Sequence, residues 1–294
     1  MASETPLKFK EVSVEDVVAK AMAELKSVLA GEHDKVLAEK ESDVIEAVKK
    51  QAETDVKLHR KLASLVTKGA ERAELEAAMS TILSAEEIQS IKDTFQFETY
   101  QVEVYTCSIP GPKSFVTFSR EGEKMFPDMT LVSSDQVMKA SLIQTTSITI
   151  EIFMLILSAI GIKVSFNQRQ MARVAQGVER IIQSSAFERA FNAFQRAWAR
   201  GGVWARAKAI FTFLKDSYTA GLFWKIMKTV LSEMSTWEYI RAIASISAMI
   251  VAAFATGGAA LIAEIALALD SAVTLVQKLI NLEALGKIQV EQTD

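Results

Sequence analysis

The feature that most constrains this chain is an apolar stretch near its C-terminus, "SAMIVAAFATGGAALIAEIALALD", which runs from Ser247 to Asp270. From Ala242 to Ala263, 22 consecutive residues carry no charge, and Gly257 and Gly258 divide them. Because a glycine pair can end one helix and start the next, the stretch predicts a helical hairpin with arms of about 15–25 residues. A helix that is apolar around its whole circumference must be buried in protein or exposed to lipid.

The N-terminal region, residues 1–94, is predicted to be helical and charged. N-cap signals at Ser13 and Ser84 mark the starts of two helices. Between Asp34 and Thr67 the apolar stripe is narrow, which suits a long exposed helix or a coiled-coil partner.

Residues 95–135 have a different character and predict a β-hairpin insert. Aromatic and β-branched residues alternate there, and Pro110, Gly111 and Pro112 exclude a helix. A third short strand is predicted near Met129–Val132.

Residues 136–294 are predicted to form a helical bundle around the hairpin, with apolar segments at 142–162 and 242–276. Between Lys139 and Lys163 the only charge is Glu151, so the first segment approaches the length of about 20 residues that a bilayer span needs. The fold class is therefore mainly α: a helical bundle around a hydrophobic hairpin, with a long N-terminal helical region and a small β insert.

Amphipathic helices are predicted between residues 167 and 241. Their apolar phase inverts at "SAFE", Ser185–Glu188, so one helix is expected to end and another to begin there. The box "STWE", Ser235–Glu238, is predicted to cap the helix that leads into the hairpin.

Charge is distributed unevenly along the chain. Residues 1–94 carry 14 basic and 19 acidic side chains, whereas residues 164–241 carry 12 basic and 5 acidic ones. This asymmetry predicts either pairing between the two segments or binding to an anionic partner.

The N-terminus has no apolar signal-peptide core, and Cys107 is the only cysteine. We expect a protein made soluble in the cytoplasm without a signal peptide, although a secreted protein without disulfides is equally allowed.

A soluble helical bundle that conceals a hydrophobic hairpin resembles the α-helical pore-forming toxins. The segment "IASISAMIVAAFATGGAALIAEIALAL" and the basic amphipathic helices before it resemble colicin-type pore domains, over residues 136–285. The β insert and the acidic N-terminal helices are not part of that pattern, and a helical head with a small β element is closer to the ClyA-like toxins. The resemblance lies in architecture rather than in a motif, and it implies insertion as an oligomeric pore.

The residues predicted to enter the membrane are apolar residues of both segments and the glycine pair between the arms. They are Ile152, Phe153, Leu155, Ile156, Ile246, Ile250, Val251, Phe254, Gly257, Gly258, Leu261, Ile262 and Ile265. Side chains expected at the membrane interface are Trp198, Trp204, Trp224, Trp237, Arg196, Arg200 and Arg206. Alternatively, these aromatic residues pack the core and the arginines pair with the acidic N-terminal helices.

Three acids within the apolar segments, Glu151, Glu264 and Asp270, are expected to tune insertion. In the resting fold each needs a partner, and the arginines of 169–206 are the expected ones, because an unpaired buried charge is severely unfavourable. Lowering the pH is expected to ease insertion, because a neutral carboxyl enters a bilayer more readily.

No catalytic motif is visible in the sequence, which lacks a P-loop, a dinucleotide fingerprint, a nucleophile elbow and HExxH. His33 and His59 lie in charged helical context, which predicts surface positions and no metal site. Cys107 lies on a predicted strand without a nearby histidine, so no nucleophile is expected. We expect no enzyme, no cofactor and, with a net charge of -3, no nucleic-acid partner.

The sequence thus predicts a pore-forming protein that hides a hydrophobic hairpin and inserts it into a target membrane, after release from the cell in one version of the hypothesis. Its expected partners are a lipid membrane and either further copies of itself or a second protein component. The alternative is a non-enzymatic helical scaffold or assembly protein. Its long N-terminal helices would bind a partner, and the hairpin would be plain core.

We expect the purified protein to be monodisperse without detergent, because amphipathic helices cover segments 142–162 and 242–263 at rest. Size-exclusion chromatography with light scattering, run with and without detergent, measures this. Aggregation that only detergent reverses would contradict the prediction and favour a constitutive membrane protein.

Overall fold

The chain folds into helices that enclose its apolar segments, as described by a computed structural model. The structure describes residues 9–93, 101–107, 113–120, 123–124, 129–131, 134–199, 201–269 and 272–287. Within these residues there are thirteen helices and four short strands. The mainly helical fold is therefore confirmed.

The helices lie along the chain with the strands inserted after the fifth helix. The helices are α1 Val14–Leu29, α2 Asp34–Glu39, α3 Glu41–Lys68, α4 Arg72–Met79, α5 Ala85–Lys92, α6 Ser134–Ala159, α7 Gln168–Ile182, α8 Ser185–Trp198, α9 Val203–Thr219, α10 Phe223–Leu231, α11 Thr236–Thr256, α12 Ala259–Ala268 and α13 Val273–Gly286. The strands are β1 Gln101–Cys107, β2 Lys113–Arg120, β3 Glu123–Lys124 and β4 Met129–Thr130.

Helix starts follow the capping signals of the sequence. The Ser13 hydroxyl accepts the Asp16 N–H at 3.1 Å, and Ser84 and Ser235 each form a reciprocal capping box. The break between α7 and α8 is confirmed, but the N-cap is Ser184 rather than Ser185, because the Ser184 hydroxyl accepts the Phe187 N–H.

The strands form one antiparallel sheet between α5 and α6. β1 and β2 pair along their whole length, from Gln101 opposite Ser119 to Cys107 opposite Lys113. β3 and β4 both pair with β2, and β1 packs against α13. The turn residues Pro110, Gly111 and Pro112 of the predicted turn, and Val132 of the predicted third strand, lie outside the described residues.

The core forms where α3 lies against α11 and α12. The stripe of α3 that suggested an exposed or coiled-coil helix is buried within the chain: Val44, Val48, Val56 and Leu62 are at most 2% exposed. α1 packs against α3 and α11 and extends this cover. The narrow stripe therefore covers the apolar hairpin of the same chain, because a helix apolar on all sides must find protein around it.

The hairpin turns at its glycine pair, as predicted. α11 ends at Thr256 and α12 begins at Ala259, and Gly257 and Gly258 take φ of 88° and 85°. The second arm is shorter than expected, since α12 has only ten residues. Asp270 and Ser271, which follow in the sequence, lie outside the described residues.

Gly258→Ala is expected to destabilise the fold by about 1–3 kcal/mol, because φ there is left-handed and overpacking is costly. A Cβ at Gly258 would lie 2.3 Å from Cζ of Phe211 in α9. Gly286→Ala is the matched control, since its Cβ would meet no atom within 4 Å. Urea unfolding followed by circular dichroism compares the two variants. Equal free energies of unfolding would contradict the predicted clash between a Cβ at position 258 and Phe211.

Candidate functional site

The residues predicted to insert are brought together in the core of the bundle. Ile152, Phe153, Leu155, Ile156, Ile246, Ile250, Leu261, Ile262 and Ile265 are at most 2% exposed. Gly258 is also buried, while Val251, Phe254 and Gly257 are half-buried. The resting structure therefore hides most of the set inside protein.

Two of the described helices are long and apolar enough to cross a bilayer. They are the stretch Asp135–Ala159 of α6 and the whole of α11, and 78% and 72% of their most apolar windows are buried. Length and composition alone also fit core helices of a water-soluble protein, so burial is compatible with both readings of the sequence. α12 is too short to cross, because a span needs about 20 residues.

Three of the four tryptophans expected at a membrane interface contact the N-terminal helices in the resting structure. Trp204 Nε1 donates to the Ala70 carbonyl at 3.1 Å, and Trp224 Nε1 donates to Glu24 Oε1 at 2.5 Å. The Lys40 ammonium lies 5.8 Å from the centre of the Trp237 ring. These indoles therefore fasten the N-terminal cover to the C-terminal bundle.

Of the remaining interfacial residues, Trp198 and Arg196 lie on α8 and Arg206 lies on α9. Trp198 is buried, and the guanidinium of Arg206 lies 5.0 Å from its ring centre. Arg196 is exposed, and Arg200 lies outside the described residues.

Charge pairing between the two halves of the chain is sparse among the described residues. Lys228 Nζ lies 3.3 Å from Glu32 Oε2 and joins α10 to the segment after α1. Arg173 instead forms a bidentate pair with Glu233 of its own half, at 2.8 and 2.5 Å, and this hydrogen bonding lowers the pKa of Glu233. The basic segment therefore keeps most of its charge at the surface.

Glu151 has a different partner from the arginines expected. Lys278 Nζ of α13 lies 3.3 Å from Glu151 Oε1, and both side chains are at most 4% exposed. The expectation failed because α6 packs against α13 at this point, while the arginines of the amphipathic helices, such as Arg169 and Arg196, face solvent. The structure thus buries an ion pair between two apolar helices.

Glu264 faces another acid instead of an arginine. Glu264 of α12 is 2% exposed, and Asp55 of α3 is 4% exposed. They line one cavity of about 10 Å³, and Glu264 Oε2 and Asp55 Oδ2 have no hydrogen-bond partner. Asp270, the third acid, lies outside the described residues.

The protonation of this pair is governed by burial. Burial raises the pKa of Asp55 to about 7, against a hydrogen bond from Gln51 Nε2 at 2.9 Å that lowers it. In the folded bundle, burial and then the charge of Asp55 raise the pKa of Glu264 well above its ordinary value. A carboxyl in such a site is accommodated by holding its proton rather than by a counter-ion.

His59 is buried, and the surface position predicted for it is wrong. It is 4% exposed, and its ring centre lies 6.0 Å from that of Phe9. Burial lowers the pKa of His59. The predicted exposure of His33 is correct. Among the described residues no group of three or more His, Cys, Asp or Glu side chains could hold a metal ion.

Asp55 and Lys278 were missed by the sequence analysis, although their spacing carried a signal. Asp55 follows Ala52 by three residues and precedes Leu62 by seven, which places it on the buried face of α3. Lys278 lies next to Leu279 and three residues after Leu275, on the apolar face of α13.

A larger, open cavity of about 480 Å³ lies beside the acid pair. It is enclosed by α3, α5, the end of α6 and the start of α11, and Glu264 contributes to its wall. Its charged lining residues are Lys50, Glu87, Lys163, Glu238, Arg241 and Glu264. Charges of both signs surround the cavity, so it does not select an anion or a cation.

No protein-family model, curated protein or solved structure matches this chain. Function therefore has to be argued from the packing and charges described above.

Lys278→Met is expected to lower the free energy of unfolding by about 3–5 kcal/mol, because it leaves the buried Glu151 carboxylate without its cation. The double variant Glu151→Gln/Lys278→Met is expected to recover most of this loss. Lys287→Met is the control, since its pair with Glu283 is exposed (72% and 64%) and is worth about 0–1 kcal/mol. Urea titrations rank the three, and equal losses in both single variants would contradict a buried pair.

Proposed function

We propose that this protein inserts its α11–α12 hairpin into a target membrane and forms a pore there as an oligomer. The observation that carries the proposal is the position of the hairpin, which lies beneath α1 and α3. These cover helices belong to the charged N-terminal region, and α11 is long enough to cross a bilayer. Removing the cover would expose apolar surface that only lipid or another protein can accept.

For the hairpin to leave, the contacts between the cover and the rest of the bundle must break. The polar ones include the bonds of Trp204 and Trp224, the bond between the Lys10 N–H and the Thr256 carbonyl, and the ion pair of Lys228 with the exposed Glu32. An exposed ion pair is worth about 0–1 kcal/mol. Once released, the same indoles have the amphipathic character of side chains that reside at a membrane interface.

The basic surface of α7 and α8 suits the first contact with an anionic membrane. Its exposed arginines are Arg169, Arg173, Arg180, Arg189 and Arg196. Each basic side chain near an anionic bilayer surface contributes about 1 kcal/mol, and the attraction weakens with salt. Binding to anionic vesicles is therefore expected to precede insertion.

The charge within the inserted hairpin favours a water-filled pore over a lipid-embedded monomer. Glu264 lies in α12, and an acid within a membrane faces the interior of a helix assembly or a water-filled cavity. One chain offers only two helices that are long and apolar enough to cross a bilayer among the described residues, too few to enclose a lumen. Further copies of the chain, or a second protein component, would supply the remaining wall.

Dye release from vesicles tests the proposal. A reversible crosslink between residues 10 and 256 is expected to block release when oxidised and to restore it when reduced. The Lys10 N–H donates to the Thr256 carbonyl at 3.0 Å, so the two backbones are in direct contact, as a disulfide between neighbouring residues requires. The variant is Lys10→Cys/Thr256→Cys with Cys107→Ser, on vesicles containing anionic lipid.

A second crosslink serves as the matched control. A Cβ at Gly177 would lie 3.8 Å from Cβ of Thr229, close to the mean distance of about 3.8 Å in disulfides. Gly177→Cys/Thr229→Cys joins α7 to α10 and leaves the hairpin free, so it is expected to leave release unchanged. Equal release by the oxidised and reduced forms of the hairpin crosslink would show that the hairpin does not have to leave.

The second candidate function is a helical scaffold or assembly protein. The burial of both apolar helices, 78% and 72% of their most apolar windows, favours it, because core helices of stable bundles have this character. It predicts no dye release at any lipid composition.

A further inference from the structure

The two buried carboxyls of Asp55 and Glu264 join the cover to the hairpin. Asp55 lies on α3 and Glu264 on α12, and both side chains are more than nine-tenths buried. Asp55 Oδ1 accepts a hydrogen bond from Gln51, whereas Asp55 Oδ2 and Glu264 Oε2 accept none. The remaining lining of their cavity comes from α11 and α12, and only the Thr256 hydroxyl adds a polar side-chain atom.

Among the described residues, no charged side chain other than the two acids lines the cavity they share. The titratable groups that line the neighbouring open cavity with Glu264 are Lys50 of α3, Glu87 of α5, Lys163 after α6, and Glu238 and Arg241 of α11. All five are exposed, and Glu238 is engaged in the capping box with Ser235.

Among the described residues of α4, α6 and α9, no cation lines the cavity of the pair. α9 turns Phe211 toward the hairpin. α6 carries Glu151, which pairs with Lys278. α4 carries Arg72, which lines a separate cavity with Ala266 and Leu267.

We propose that Asp55 and Glu264 form a proton-binding clasp that fastens the hairpin to its cover and loosens as the pH rises above neutrality. With protons on the pair, one carboxyl can donate a hydrogen bond to the other, directly or through a water, for which the cavity of about 10 Å³ has room. When both carboxyls are ionised, two like charges face each other in an apolar core, and α3 separates from α12. The role of the clasp in releasing the hairpin rests on the proposed function. Its pH direction is opposite to the insertion at low pH expected from the sequence, because the protons that ease entry into a bilayer also hold the clasp closed.

The sign of the effect follows from the proton balance. In the unfolded chain both carboxyls ionise near pH 4, at about 3.9 and 4.3. In the fold the pKa of Asp55 is raised to about 7 and that of Glu264 is also raised. The stability from the bound protons is complete below pH 4 and is lost as the pH rises through 7. Between pH 4 and pH 7, each proton that the folded state keeps and the unfolded state loses makes the unfolding constant rise about tenfold for every unit of increase in pH.

The experiment measures urea unfolding without lipid, at several pH values, for the wild type and for Asp55→Asn/Glu264→Gln. From about pH 5.5 to pH 7 the unfolding constant is expected to rise at least tenfold more in the wild type than in the double variant. Asp43→Asn, which removes an exposed acid from α3 (51% exposed), is expected to keep the wild-type slope. Parallel slopes for the wild type and the double variant would overturn the clasp.

A second measurement does not depend on whether the double variant folds. Exposed carboxyls are ionised by about pH 6, so the infrared carbonyl band of protonated carboxyls at that pH reports buried acids. The wild type is expected to show this band at pH 6. About half of the band intensity is expected to be lost near pH 7, when the first of the two carboxyls ionises. Absence of the band would overturn the clasp. Neither measurement involves membranes, so failure of the clasp and failure of the insertion proposal are separate results.

Discussion

A helix without a polar face cannot be solvated by water on any side, and the fold is organised around covering one. All ten residues of α12 are buried, including Glu264. The cover comes from the opposite end of the chain, where α3 offers one apolar stripe to the hairpin and charged residues to solvent. The fold therefore joins the charged N-terminal helices to the most apolar part of the sequence, and separating them exposes the apolar part.

Local structure was accessible from the sequence because it depends on neighbours along the chain. Capping serines fixed the starts of α1, α5 and α11, and the glycine pair fixed the hairpin turn. Periodicity showed that α3 has a buried face, but it could not show which element covers that face. An exposed helix or a coiled coil was therefore as consistent with the pattern as the cover that is observed.

The buried polar residues were the least predictable part of the candidate site. Their partners lie far away in sequence, as with Glu151 and Lys278 or Asp55 and Glu264. A partner of opposite charge was the natural expectation for a buried acid. Glu151 has such a partner, but it is Lys278 of α13 rather than an arginine. For Glu264 the fold uses the other route, in which a buried acid avoids the cost of its charge by keeping a proton. Only tertiary packing decides between the two.

The contact between the Lys10 N–H and the Thr256 carbonyl joins a segment that is synthesised early to one that is synthesised late. The ribosome produces α1 and α3 long before α11 and α12. When the apolar hairpin emerges, the segments that will shield it are already present on the same nascent chain. A circularly permuted chain with the hairpin first would present bare apolar helices to chaperones and to membranes.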